Sequence, residues 1–176
     1  MTFAPQAEYE ALRDTIRGRG TARMCAVLVG LITWAALLIA LLAGGLQGGV
    51  TLVPLLVLAA TFEINFFIHT GVERIGRYIQ VFYEERQGAT GWETIAMSYG
   101  TKFPSGLDPL FCAIFGAAAA LNFSVSIASA RFPWWWIALS LASHLAFAYR
   151  IVSARALAGS QRALDLDRFR NLGNER

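Results

Sequence analysis

The chain has 176 residues, of which 56% are hydrophobic and 15% are charged, and its formal net charge is +3. This composition excludes an intrinsically disordered chain, which needs low hydrophobicity and high net charge. Two cysteines are too few for a disulfide scaffold. The large hydrophobic fraction is typical of an integral membrane protein.

Four segments are long and apolar enough to cross a bilayer, for which a helix needs about 20 residues. They cover residues 24–46, 50–70, 109–130 and 133–150. The first segment is longer than the apolar core of a signal peptide and no small-residue cleavage site follows it, so we expect it to be retained. The sequence therefore predicts an all-α fold, an integral membrane four-helix bundle.

The basic residues are divided unequally between the two sides of these four spans. Fourteen of the 15 Lys and Arg residues lie before the first span, between the second and third spans, or from Arg150 onward, and only Arg131 lies on the other side. The positive-inside rule then places both termini in the cytoplasm, with the protein in the inner membrane of a bacterial cell. Three tryptophans at the other end of the fourth span fit either an interfacial aromatic belt or a packing surface for a partner: Trp134, Trp135 and Trp136.

Three regions follow from the positions of the spans. Residues 1–23 are expected to form a cytoplasmic amphipathic segment, residues 24–152 the four-span domain, and residues 153–176 a cytoplasmic tail. The four-span domain includes a cytoplasmic helix extension and loop at residues 71–108.

The second span is predicted to continue as a helix beyond the bilayer. No proline interrupts residues 61–85, and a helix from Val50 to Glu85 would be on the order of 50 Å long, against about 30 Å for the hydrocarbon core. After it, the sequence predicts a short interfacial helix at 92–99 and a loop at 100–108. The apolar stripe of the long helix would lie in the headgroup region, or would dock a partner or a second subunit. The stripe comprises Ile64, Ile68, Val72, Ile75, Ile79 and Phe82.

Charged residues of this helix extension form a candidate network at the cytoplasmic boundary. Glu73 and Arg77 are four residues apart, in the order that favours an ion pair on one helix face. The full candidate network comprises His69, Glu73, Arg74 and Arg77.

Glu63 is unusual because a carboxylate inside a bilayer costs about 2.5 kcal/mol or more and usually faces a protein interior or water. Glu63 lies seven residues before Thr70, and His144 lies six residues before Arg150. Both side chains should therefore lie at similar depth, and we expect them to be within reach of each other, directly or through water. Together with Asn65 they form a candidate intramembrane polar site. Such a site either sets helix register only or responds to protons or ions.

Cofactor and nucleic-acid binding find little support in the sequence. The two histidines, His69 and His144, are expected to differ in depth by about five residues, roughly 7 Å along a helix axis. This difference argues against a haem ligated by both histidines. No metal site is predicted. No C-x-x-C pair, phosphate-binding glycine loop or G-x-S-x-G elbow occurs. Fourteen basic residues are interleaved with eleven acidic ones on the same side, which is no stripe for nucleic acid.

Three functions are compatible with these patterns. The first is a non-enzymatic accessory or interaction subunit of a membrane assembly, in contact with lipid and with itself or another membrane protein. The second is an oligomeric channel or transporter that uses Glu63, His144 and Asn65. The third, a membrane enzyme or haem protein, has the least support, because no catalytic constellation is present in the sequence.

Overall fold

The computed structural model describes residues 5–45, 51–88, 90–102, 109–128 and 133–175. Over these ranges the chain forms five α-helices and no strand. The helices are α1 (Pro5–Ala43), α2 (Leu52–Ile79), α3 (Trp92–Lys102), α4 (Pro109–Ala128) and α5 (Trp134–Asn174). The prediction of an all-α protein is confirmed for this part of the chain.

Four of the helices, α1, α2, α4 and α5, are long and apolar enough to cross a membrane. By length and composition, this confirms the number and order of the predicted spans. The first and the last of these four helices are longer than the predicted spans, because α1 has 39 residues and α5 has 41. The N-terminal segment and the tail therefore continue these helices. Neither helix contains a proline after Pro5, and the alanine, leucine and arginine residues of the tail favour helix.

The second helix continues without a break into a π-helical turn, Gln80–Glu84, and a 3-10 turn, Glu85–Gln87. The predicted long helix is thus confirmed, with a change of winding near its end. Gly88 ends it with a φ of 63°, a left-handed conformation that glycine adopts at little cost. The N–H of Gly88 donates to the carbonyl oxygen of Glu85.

The short helix predicted at 92–99 is confirmed as α3, which extends to Lys102. Residues 100–102 are therefore helical, although the sequence analysis assigned them to a loop. The rest of that predicted loop, 103–108, lies outside the described residues, and so do the short connections between the predicted spans, 47–49 and 131–132.

The chain packs as two compact units, each assembled from separated stretches. Unit 1 lies within Met1–Arg23, Phe66–Gly106 and Arg155–Arg176. Unit 2 lies within Met24–Asn65 and Leu107–Ala154. Unit 2 thus contains most of the predicted spans, and unit 1 contains most of the residues predicted to be cytoplasmic.

Aromatic side chains from three helices form the core of unit 2. The ring of Phe62 on α2 is fully buried, and its centroid lies 5.7 Å from Phe111, 5.5 Å from Phe115 and 5.9 Å from Phe147. Aromatic pairs at these separations contribute about 0.5–1.5 kcal/mol each beyond the area that they bury. This cluster holds α2 against α4 and α5 within unit 2.

Aromatic rings also form the apolar part of unit 1. The ring centroids of Tyr78 and Phe82 lie 4.7 Å apart, and Phe169 of α5 contacts both rings, at 5.6 and 6.3 Å. Ile79 is fully buried. Ile79, near the end of the predicted apolar stripe, is therefore covered by the chain itself, and its expected contact with headgroups or a partner is wrong. Phe82 is partly buried and packs against Phe169, because α5 continues far enough to reach it.

Candidate functional site

Glu84 holds the start of α3 from a different element. Its carboxylate accepts hydrogen bonds from the backbone N–H groups of Glu93 (3.0 Å) and Thr94 (2.7 Å) and from the hydroxyl of Thr94 (2.7 Å). The first N–H groups of a helix have no partner within the helix, so Glu84 acts as their cap. Burial alone would raise the pKa of Glu84, but these hydrogen bonds outweigh it, and the pKa is lowered.

Glu93, in the first turn of α3, joins three helices of unit 1. It is buried, and its two carboxylate oxygens bind Arg13 of α1 at 2.8 Å and Arg77 of α2 at 3.3 Å. Arg77 is only 5% exposed and also donates to Gln80 at 2.8 Å. Burial lowers the pKa of Arg77, and a buried charge of this kind is tolerated only when it is paired.

Three further ion pairs join α2 and the turns after it to α5. Arg162 binds both carboxylate oxygens of Glu73, the two-pronged geometry that a guanidinium favours. The other two pairs are Arg74–Asp165 at 3.1 Å and Arg170–Glu85 at 2.7 Å.

The predicted boundary network is therefore gathered in unit 1, but with different pairing. Glu73 binds Arg162 and Arg77 binds Glu93, so the ion pair expected between Glu73 and Arg77 along α2 is wrong. Both residues pair with side chains on other helices instead. The attraction between two opposite charges is stronger where packed helices exclude water than on an exposed helix face.

His69, the remaining member of that network, has a defined proton position. Its Nδ1 lies 3.4 Å from Nη1 of Arg23. A guanidinium can only donate, so Nδ1 accepts and the proton of the neutral ring lies on Nε2. Neither Nε2 of His69 nor Nε of Arg77 has a hydrogen-bond partner among the described residues.

A cavity of about 380 Å³ lies within unit 1 between α1, α2, α3 and α5. Its lining combines the charged groups described above with the aromatic side chains of Trp92 and Tyr99. The charged and titratable residues of the lining are Arg13, His69, Glu73, Arg77, Glu93 and Arg162.

Sequence reasoning identified three of these six residues and missed the other three. Arg13, Glu93 and Arg162 entered the predictions only as charges counted on the cytoplasmic side. An acidic residue in the first turn of α3 was a weak signal for Glu93. No local signal relates it to Arg13, which is 80 residues away in the chain.

A second polar cluster lies in unit 2, around the fully buried Asn122 of α4. Its Oδ1 accepts the indole N–H of Trp34 at 3.3 Å, and its Nδ2 donates to the carbonyl of Thr51 at 3.0 Å and to Nε2 of His144 at 3.1 Å. The Nδ1 of His144 lies 2.7 Å from the carbonyl oxygen of Ser140. Asn122 was not identified from the sequence, because a lone asparagine among alanines carries no periodic signal.

Glu63 and His144 bind different partners, and a direct hydrogen bond between them is not formed. Glu63 is 48% exposed and binds Arg150 at 2.7 Å, whereas His144 binds Asn122 and Ser140. Matched depth along two helices does not determine which way each side chain points, and the long Arg150 side chain reaches the Glu63 carboxylate.

Asn65 and the tryptophan cluster have separate surroundings. Asn65 is fully buried, and its Nδ2 donates to the carbonyl of Thr61 one turn earlier, at 2.8 Å. Trp134 is exposed, and the rings of Trp135 and Trp136 stack at 4.6 Å. The aromatic belt stays a prediction.

In the part of the chain that the structure describes, no group of three or more His, Cys, Asp or Glu side chains could hold a metal ion. Comparison with family models, with curated proteins and with solved structures finds no match for this chain. Its function is therefore inferred from its own residues.

Proposed function

We propose that this chain is a non-enzymatic interaction subunit of a membrane assembly, and that the exposed face of α3 contacts another membrane protein. Trp92, Ile95 and Tyr99 carry the proposal, because they are 70%, 52% and 63% exposed. They lie three and four residues apart, so they share one face of the helix. Exposed apolar groups clustered in this way are typical of interaction sites, and Trp and Tyr are common among the residues that dominate binding energy.

The first turn of α3 is anchored, which favours a docking role over a loosely attached helix. Glu93 binds two arginines, and Glu84 caps the backbone N–H groups of Glu93 and Thr94. A rigid helix presents its face with little loss of conformational entropy on binding.

A protein partner suits this face better than lipid headgroups do. Headgroup-bound amphipathic helices are typically rich in Lys and Arg on their polar face. The charged residues of α3 are only Glu93 and Lys102, and Glu93 is occupied within unit 1. We expect the anchored helix to contact protein.

The proposed setting is a four-helix bundle in the inner membrane with both termini in the cytoplasm. The four long apolar helices support membrane insertion. The grouping of 14 of the 15 basic residues outside the two short turns supports this orientation under the positive-inside rule.

The transport alternative has less support. It required Glu63 and His144 to share a polar path, but Arg150 binds Glu63 and Asn122 binds His144. A carboxylate already neutralised by a guanidinium is a poor relay for protons or cations.

The test places a photo-crosslinking amino acid at position 95 of the full chain in its native membrane. We expect a crosslink to one integral membrane protein, lost in the variant Trp92→Ser/Tyr99→Ser. Trp134→Ser is the matched control, because it removes an exposed tryptophan far from α3 in sequence and should leave the crosslink intact. Crosslinks to phospholipid alone, or only to a second copy of this chain, would contradict an accessory role for this face.

A further inference from the structure

The cavity of unit 1 has more hydrogen-bond donors than acceptors to offer a ligand. Its two carboxylates are already bound, Glu93 by Arg13 and Arg77 and Glu73 by Arg162. We propose that this cavity binds a phosphate group, carried either by free inorganic phosphate or by the headgroup of an anionic lipid. The proposal does not depend on a protein partner for α3.

Arg13 and Arg162 supply the accessible donors. Arg13 uses Nε for Tyr9 and Nη1 for Glu93. Arg162 uses Nε and Nη2 for Glu73. A guanidinium has five N–H donors, and these two side chains are 26% and 17% exposed. The N–H groups on the second Nη atom of each arginine can therefore serve a ligand in the cavity.

Two further donors belong to residues of the same lining. The Nε2–H of His69 and the Nε–H of Arg77 are buried, and neither has a hydrogen-bond partner among the described residues. A buried polar group without a partner is costly. Both of these groups are donors, so the ligand that satisfies them is an acceptor.

Phosphate fits this set of donors better than a carboxylate does. The donors come from three helices, α1, α2 and α5, so the ligand must offer oxygens in several directions. Guanidinium groups bind phosphate oxygens in pairs. The lining has three arginines and two carboxylates, and the nearby Glu84 supplies a third negative charge, so the remaining N–H donors, rather than the net charge, favour phosphate.

The size of the cavity is also suitable. Its volume of about 380 Å³ lies within the range of roughly 300–1,000 Å³ that is usual for small-molecule sites. A phosphate with an ester substituent can therefore enter, as well as a hydrated phosphate ion.

The test uses the full chain purified in mild detergent and stripped of lipid. Equilibrium dialysis with radiolabelled inorganic phosphate, at constant ionic strength, measures binding of the free ion. Native mass spectrometry with phosphatidic acid, compared with phosphatidylcholine, measures binding of a headgroup phosphate. We expect one ligand per chain in at least one arm, and the arm that binds identifies the source. Binding in neither arm would overturn the proposal.

Variants locate the bound ligand. His69→Leu removes a donor, and we expect binding to weaken about tenfold, whereas His69→Gln keeps an N–H donor and should bind nearly as the wild type does. Arg168→Gln removes an exposed arginine outside the lining and should change nothing. Equal binding by all variants, or equal loss in His69→Leu and Arg168→Gln, would indicate an adventitious ion only.

A measurement on the wild-type chain avoids any variant that fails to fold. The chain has two histidines, so ¹⁵N-histidine labelling gives two sets of ring resonances. Titration with the ligand that binds should shift Nε2 of His69 and leave His144, which is bound within unit 2, unchanged. A shift at neither ring would overturn the proposal.

Discussion

The side-chain amide of Asn122 donates from Nδ2 to Nε2 of His144 across 3.1 Å. The indole N–H of Trp34 can only donate, and it occupies Oδ1 of Asn122, so the orientation of the amide is determined. Because Nδ2 is a donor, Nε2 of His144 must accept. The ring proton therefore lies on Nδ1, which donates to the carbonyl oxygen of Ser140 at 2.7 Å.

This arrangement predicts a neutral His144 protonated on Nδ1. ¹⁵N NMR of histidine-labelled protein should show that tautomer at neutral pH. Asn122→Asp replaces the donor facing Nε2 by an acceptor, so His144 should then carry a proton on Nε2. A wild-type His144 protonated on Nε2 would contradict the hydrogen-bond assignment.

The Glu84 cap predicts a loss of stability in acid. The lowered pKa of Glu84 means that the folded state binds its proton less readily than the unfolded state, whose value is near 4.5. The contribution of the Glu84 carboxylate to the free energy of unfolding is thus fully present well above pH 4.5. It is lost as the pH falls through the pKa of Glu84 in the folded state.

Glu84→Gln is the variant that isolates this contribution. We expect its free energy of unfolding in detergent at pH 7 to fall by about 0.5–2 kcal/mol, the usual cost of a lost helix cap, with a weaker dependence on acid than in the wild type. Glu175→Gln, which neutralises an exposed carboxylate, is the control. The same pH dependence in Glu84→Gln and the wild type would disprove the role of Glu84.

The buried and exposed ion pairs of unit 1 should differ sharply in their effect on stability. Glu93→Gln leaves the buried Arg77 without its carboxylate partner, and removing one member of a buried pair costs about 3–5 kcal/mol. Asp14→Asn breaks the exposed pair with Arg17 and should cost about 0–1 kcal/mol. Chemical denaturation followed by circular dichroism measures both, and equal losses would show that Glu93 is not buried.

Gly30 marks a close approach of α1 and α2 in unit 2. A Cβ atom at Gly30 would lie 2.2 Å from the Oγ1 atom of Thr61, so Gly30→Ala should destabilise the protein by about 1–3 kcal/mol. Gly159→Ala is the matched control in α5, because nothing lies within 4 Å of its added Cβ. At position 159 the higher helix propensity of alanine should raise the free energy of unfolding by up to about 1 kcal/mol. Thermal unfolding in detergent tests the sign of each effect.

Much of the secondary structure could be predicted from the sequence. Span length and composition predicted the four apolar helices, and the uninterrupted helical period predicted the continuation of α2 as far as Glu85. The short helix at 92–99 also followed from the local sequence. These features depend on neighbours within a few turns, so the sequence of one segment contains the information.

The partners of the charged and polar side chains required the tertiary structure. Glu63 and His144 were predicted to lie at matched depth but have different partners, because rise along a helix does not determine rotation about its axis. Glu93 and Arg13 are 80 residues apart, and no local pattern relates them. The sequence by itself determined which segments are helical and which are apolar enough for a membrane. Only the packing of those helices decided which charges meet, because the pairing of buried charges depends on distances and on the exclusion of water between distant segments.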